Sequence, residues 1–172
     1  MNNYELLERS FTVSPGVSIR PGEYPFNNAT VTYAFGQQRR MSGTVALQAG
    51  QFYDGTLTSF TVSGARVAIL KQLSVEPSLT LNHGALPAGQ FDTTLIRARV
   101  DYAFTPLRFF SALVQFNSAD QTFSSNVRFR WEYQPGSELF VVYTDERDTT
   151  VVGYPGLRNK AFVVKVNRLF RF

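Results

Sequence analysis

The chain has 172 residues, with 17 Lys and Arg against 13 Asp and Glu for a net charge of +4, no cysteine and one histidine. This excludes a disulfide framework, a thiolate metal site and a thiol nucleophile, and a single imidazole argues against a zinc site built on several histidines. Aromatic residues make up 15% with Phe alone at 16, yet the mean hydropathy of -0.13 is that of a soluble protein and no run approaches the roughly 18 apolar residues of a membrane helix, so residues 1–172 are read as one domain, either a soluble fold or a membrane β-barrel.

The opening "MNNYELLERS" has neither a basic n-region nor an apolar h-region, so it is no secretory signal. From Phe11 onward a period of two recurs, the mark of strands with one greasy and one wet face. Phe11, Val13, Pro15, Val17 and Ile19 form the first comb, read as one strand over 11–20. Ala29, Val31, Tyr33 and Phe35 follow, then Met41, Gly43, Val45, Leu47 and Ala49 after "GQQRR". "YDG" at 53–55 turns the chain into a weaker comb over 56–69, and Leu73, Val75, Leu79 and Leu81 make the next. A longer loop is expected at 84–90.

The second half is more regular. Ile96, Ala98, Val100, Tyr102 and Phe104 alternate with Arg97, Arg99 and Asp101, and "TP" leads into Phe110, Ala112, Val114 and Phe116. Val127, Phe129, Trp131 and Tyr133 alternate with Arg128, Arg130 and Glu132 before "QPGS", and "LFVVYT" at 139–144 is apolar on both faces. After a second long loop, roughly 146–160, the last comb runs from Phe162 to Phe172 with Lys165 and Asn167 between its teeth. These combs predict an all-β, antiparallel meander of about ten strands. Several combs run eleven to thirteen residues, longer than the usual strand of a soluble sandwich and long enough to cross a bilayer at a tilt.

Aromatics sort by strand end. Tyr102 and Phe104, Trp131 and Tyr133, and Phe170 and Phe172 fall on one rim if strands alternate in direction, while Phe52, Phe91, Phe116 and Phe123 fall near the other. Such girdles form where Tyr and Trp sit at the two membrane interfaces. The fold expected is therefore a transmembrane β-barrel with apolar teeth facing lipid. Its lumen would be lined by Arg97, Arg99, Asp101, Arg128, Arg130, Glu132 and Lys165, either as an anion-selective constriction or as a ladder of ion pairs plugging a narrow barrel.

The ending "VKVNRLFRF" resembles the C-terminal signal of bacterial outer-membrane barrel proteins, with Phe172 as the final aromatic; Arg168 departs from the comb. That resemblance implies recognition by the barrel-assembly machinery. A wider one covers "GVSIRPGEYPF", "GQFYDG", "YAFTP", "ALVQFNS", "NVRFRWEYQPGSELFVVYTDERD" and "NKAFVVKVNRLFRF". These stretches are similar to the C-terminal barrel region of a family of uncharacterised bacterial proteins whose members carry an N-terminal module like the family-nine carbohydrate-binding domains. It implies a C-terminal fragment of a longer protein, possessing the barrel without that module or a signal peptide, in the bacterial outer membrane.

Chemistry beyond the lumen is sparse. His83 is read as a solvated loop residue; the other reading, a pair with Asp92 in a hydrolytic site, lacks a Ser marked by an elbow motif. Asp145, Glu146 and Asp148 offer carboxylates of the kind calcium takes, but Arg147 stands in their midst and the spacing fits no known calcium loop, so the run is read as ordinary loop polarity. Arginines and aromatics lie on opposite faces, which argues against nucleic acid. The expectation is a porin-like channel or membrane anchor with the outer-membrane bilayer as its partner, no enzyme activity, no cofactor and no metal, and carbohydrate only through the missing module. The alternatives are a soluble β-sandwich binding carbohydrate and an outer-membrane enzyme acting on lipids.

Overall fold

A computed structural model of the protein describes residues 2–14, 16–36, 38–151, 153 and 155–170. Phe172, expected as girdle residue and assembly signal, lies outside the described residues. The strands are β1 (Asn2–Leu7), β2 (Phe11–Ser14), β3 (Val17–Ile19), β4 (Gly22–Phe35), β5 (Met41–Phe52) and β6 (Gly55–Ala68), then β7 (Leu73–Leu86), β8 (Gly89–Thr105), β9 (Arg108–Asn117), β10 (Thr122–Gln134), β11 (Ser137–Asp148) and β12 (Gly156–Asn167). No helix occurs among the described residues. A ten-stranded antiparallel meander runs β1-β4-β5-β6-β7-β8-β9-β10-β11-β12, and β2 and β3 form a separate two-stranded sheet. The expected all-β antiparallel meander is thus the observed one. The described strands do not close on themselves: β1 and β12 are free edges.

The count of ten was reached with one wrong strand. Residues 11–20 are not a single member of the meander but the hairpin β2–β3, turned at Gly16 with φ +81°, a conformation that costs glycine little. The tenth strand is β1, which lacks a comb and pairs with the first half of β4, Leu7 opposite Gly22 and Asn2 opposite Asn27. The expected loop at 84–90 is also absent. Pairing of β7 with β8 continues to Leu86 opposite Gly89, leaving Pro87 and Ala88 as the turn. The later long loop shortens to 149–155.

Register keeps the two faces distinct across the sheet, because directly paired residues project to the same side. One row reads Met41, Val67, Val75, Val100, Ala112, Val127, Tyr143 and Phe162 from β5 to β12. The adjacent row on the opposite face reads Ser74, Asp101, Ser111 and Arg128. The weak comb over 56–69 is explained by a β-bulge. Between Val62 and Val67 β6 spends one more residue than β7 does between Leu79 and Val75, and Gly64 adopts φ +57° there. The extra residue reverses the alternation, so that Arg66 pairs with Ser42 on the polar face and Val67 with Met41 on the apolar one.

The buried cluster is small and sits at one end of the polar face. Val17, Ile19, Leu86 and Phe91 form it, with Leu7, Val13, Tyr24, Phe52, Tyr53 and Leu57 packed around. Phe91 lies against Gly84 opposite it on β7, where a Cβ would stand 2.2 Å from the ring. The hairpin β2–β3 thus caps this end, called here the hairpin end. Phe52 and Phe91 are consequently not part of a lipid-facing rim: they face the hairpin, 6.3 Å apart between ring centroids. Phe116 and Phe123 do pair across strands on the apolar face.

Ile19 has no exposed surface. Ile19→Ala is expected to cost about 2–4 kcal/mol of local packing, seen as faster tryptic cleavage after Arg9, just before the hairpin, whereas the same truncation at exposed Val166 leaves that rate unchanged.

Candidate functional site: a basic cleft on the polar face

Six neighbouring strands laid flat would span about 24 Å at their usual spacing. Here residues from β5 to β10 line one cleft of about 710 Å³, which requires the polar face to be concave. Its walls carry Ser42, Arg66, Glu76, Ser78, Arg97, Arg99, Ser111, Asn126 and Arg128. Arg99 pairs with Asp101, two residues along the same strand, at 3.0 Å. Arg66, Arg97 and Arg128 form no ion pair among the described residues. With Glu76 the remaining acid of the wall, the cleft holds an excess of guanidinium groups, each with planar donors suited to carboxylate or phosphate.

Of the seven residues expected to line a lumen, Arg97, Arg99 and Arg128 line the cleft and Asp101 neutralises Arg99. The other three share the polar face nearer the opposite end. Arg130 is held by Glu138 and lies 5.9 Å from the centroid of Phe140. Glu132 accepts the backbone N–H of Gly136 at 3.1 Å, and Lys165 pairs with Phe140 on the edge strand. A continuous ladder of ion pairs is not what this face carries, since three of the four cleft arginines stand unpaired. Arg66 was hidden by the bulge, for which Gly64 inside a strand pattern is the available signal. Glu76 was legible as a polar tooth between Val75 and Pro77, but its convergence with β8 is a matter of register, Glu76 opposite Arg99.

At the far end, away from the hairpin, aromatic pairs stack along the apolar face. Tyr102 and Phe104 meet edge to face at 4.5 Å, Trp131 and Tyr133 at 6.2 Å, and Tyr33 and Phe35, a pair the combs contain but did not single out, at 4.9 Å. Tyr133 donates its hydroxyl to the carbonyl of Asn167 at 3.0 Å. The guanidinium of Arg108 lies 4.9 Å from the Trp131 ring centroid and that of Arg168 5.1 Å from Phe170.

His83 lies within β7, not in a loop, and its Nδ1 is 2.7 Å from Asp92 Oδ1 across the hairpin. The pair belongs to the reading set aside in favour of a solvated loop residue; both side chains lie on the apolar face, and no serine hydroxyl is hydrogen-bonded to His83 among the described residues. The acidic run makes no calcium loop. Asp145 is bound by Arg147 at 2.6 Å and by the Tyr143 hydroxyl, Asp148 by Arg158 and Thr150. Asp145 and Glu146, adjacent on β11, point to opposite faces and cannot converge on one ion.

The hairpin end of the cleft is tied to β1 through Tyr53, whose hydroxyl donates to Glu5 Oε2 at 3.1 Å. Burial, and then this bond and the Glu5 charge, push the Tyr53 phenol above its ordinary 10.

The fold and cleft define an all-β, single-layer meander with a basic concave face and an apolar convex one. Comparison of the chain with protein-family models, with curated proteins and with solved structures finds no match in any of the three. The likeness to the barrel family therefore rests on the stretches quoted above alone.

Because the neutral phenol is the favoured form, the stabilisation from Tyr53 is present below pH 10 and is lost as pH rises through its raised pKa. In an absorbance titration of the 8 tyrosines, a late phase that includes Tyr53 is expected, and Glu5→Gln is expected to bring the Tyr53 part of it back towards the rest; a late phase that Glu5→Gln leaves untouched would contradict the assignment.

Proposed function

We propose that the chain is a transmembrane β-sheet of an outer-membrane barrel, serving as a channel or membrane anchor whose polar concave face favours anions. The observation that carries this reading is the uncovered apolar face. The buried hydrophobic residues among those described are Val17, Ile19, Phe26, Leu86 and Phe91, whereas Val31, Tyr33, Leu47, Ile96, Val164 and Val166 on the convex side are all 46% exposed or more. Monomeric soluble proteins rarely leave so wide an apolar surface to water.

The dimensions agree with a bilayer. On β8 the apolar teeth run from Ile96 to Phe104, about 27 Å along the strand and roughly 21 Å upright at a barrel's tilt, within a few ångströms of the ~25 Å apolar band of outer-membrane barrels. The alternative of a soluble sandwich needs a second sheet stacked about 10 Å above the apolar face. The second sheet of this structure is the two-stranded hairpin, and it packs on the other face. In hydrocarbon the free edges of β1 and β12 would each leave backbone groups unpaired at several kcal/mol apiece. The membrane form therefore requires both edges to be paired, with each other or with further strands. Insertion by the barrel-assembly machinery, anchoring of a carbohydrate-binding module and outer-membrane residence follow from the resemblances and belong to this same proposal.

The chain has no native cysteine, so single-cysteine spin labels are clean reporters. In detergent micelles or bilayers, a label at Val127 is expected to be accessible to oxygen and one at Arg128 to a water-soluble relaxant. The reverse pattern, or full solubility and a packed Val127 in buffer alone, would refute the reading. For the channel form, exchanging Arg97, Arg99 and Arg128 for Glu should reverse an anion preference in planar bilayers, and an unchanged preference would remove the cleft from the permeation path.

A further inference from the structure

The two ends of the meander differ in charge. The far-end connections, residues 36–40, 69–72, 106–107 and 135–136, together with 168–170, contain Arg39, Arg40, Lys71 and Arg168 and neither Asp nor Glu. Arg108 opens β9 at the same end, and all five cations are exposed. At the hairpin end the connections carry Glu8, Asp54 and Asp120 against Arg9 and Arg20, and the nearby strand ends carry Glu5, Glu23, Asp92 and Asp148 against Arg147 and Arg158; at the far end the five cations face Glu132 and Glu138 on the strand ends. Cations therefore crowd the end where three edge-to-face aromatic pairs lie on the apolar face; the edge-to-face pairs of Tyr53 at the hairpin end belong to its packed cluster.

The order of these groups along the sheet is that of a membrane interface. The apolar rows come first, then the rings of Tyr102, Trp131 and Tyr133, then the cations, with Arg108 and Arg168 folded back over Trp131 and Phe170. Amphipathic rings settle at the headgroup level, and a long cationic side chain reaches past them while its stem stays on apolar surface. We infer that the far rim docks on the phosphates of anionic lipid headgroups, so that the sheet is oriented with its far end in the more anionic leaflet. This rests on the membrane reading and adds to it a polarity and a headgroup chemistry. Nucleic acid is the poorer occupant: the rings continue into an apolar band that bases would not cover. Among the described residues the rim holds no built site for a free anion: Arg39 and Arg40 share one turn, and Lys71, Arg108 and Arg168 stand on three other segments.

The test uses the full chain, refolded from denaturant onto vesicles of phosphatidylcholine alone or with phosphatidylglycerol added, and followed by flotation and Trp131 fluorescence. Anionic lipid is expected to raise the association of the parent chain on the order of tenfold at low salt, with the gain falling away in high salt as screening shortens the field. The variant Arg39→Gln, Arg40→Gln, Lys71→Gln should lose most of the gain, while Asp54→Asn with Asp120→Asn at the hairpin end should keep it. Equal association with both vesicle types overturns the inference and leaves the membrane reading standing; association with neither overturns both. Competition by inorganic phosphate beyond that of sodium chloride at equal ionic strength, or by a single-stranded oligonucleotide, would also overturn it, in favour of a free-anion site or a nucleic-acid surface.

Discussion

Cross-strand register is the constraint on which the rest of this molecule depends. Nine ladders join the ten strands, and in each a slip of one residue would carry every tooth to the wrong face. Val100 stands in one row with Val75, Ala112 and Val127, while Arg99 stands in the next with Glu76 and Asn126. That separation makes a basic cleft and an oily surface out of the same strands, and the bulge in β6 shows it being maintained where the residue order alone would break it. With the extra residue, Arg66 joins the cleft; in strict alternation with Val62 it would have faced the apolar side.

A single-layer sheet has little interior of its own. The hairpin β2–β3 supplies what core there is, resting Val17 and Ile19 on Leu86 and Phe91 at one end of the concave face. The rest of the polar face is left to water and to its arginines, and the convex face has no protein partner in the chain. Stability in such a design comes from the backbone ladders, from ring pairs such as Tyr102 with Phe104, and from whatever medium covers the apolar rows. Both edges leave the same demand open, since β12 presents Phe162, Val163, Val164 and Val166 on its two faces, all more than half exposed.

Much of this was legible in the residues. The combs located β4 to β10 and β12, with β11 found as an apolar run, and Arg97, Arg99, Asp101 and Arg128 share one face as the alternation implied, because alternation is a local property of extended backbone. What failed was nonlocal. β1 shows no alternation and is a strand because β4 offers it a partner; Phe11 to Ile19 shows alternation and yet folds back on itself at Gly16. Phe52 and Phe91 read as rim aromatics until the hairpin, far along the chain from Phe91, is seen to rest on them. His83 read as a loop residue because proline and glycine at 84–90 suggest a break, whereas the two strands pair through to a two-residue turn.

The sequence by itself determined the class of fold, antiparallel and all-β, and which residues of each strand share a face, since both follow from period-two patterning and tight-turn chemistry. Only the tertiary structure decided how those faces combine: that the polar one is concave and gathers Arg66, Arg97, Arg99 and Arg128 into one cleft, that a hairpin caps one end, and that the meander of described strands stays open between β1 and β12. Curvature, capping and closure arise from contacts between segments distant along the chain, and no local pattern of side chains encodes them.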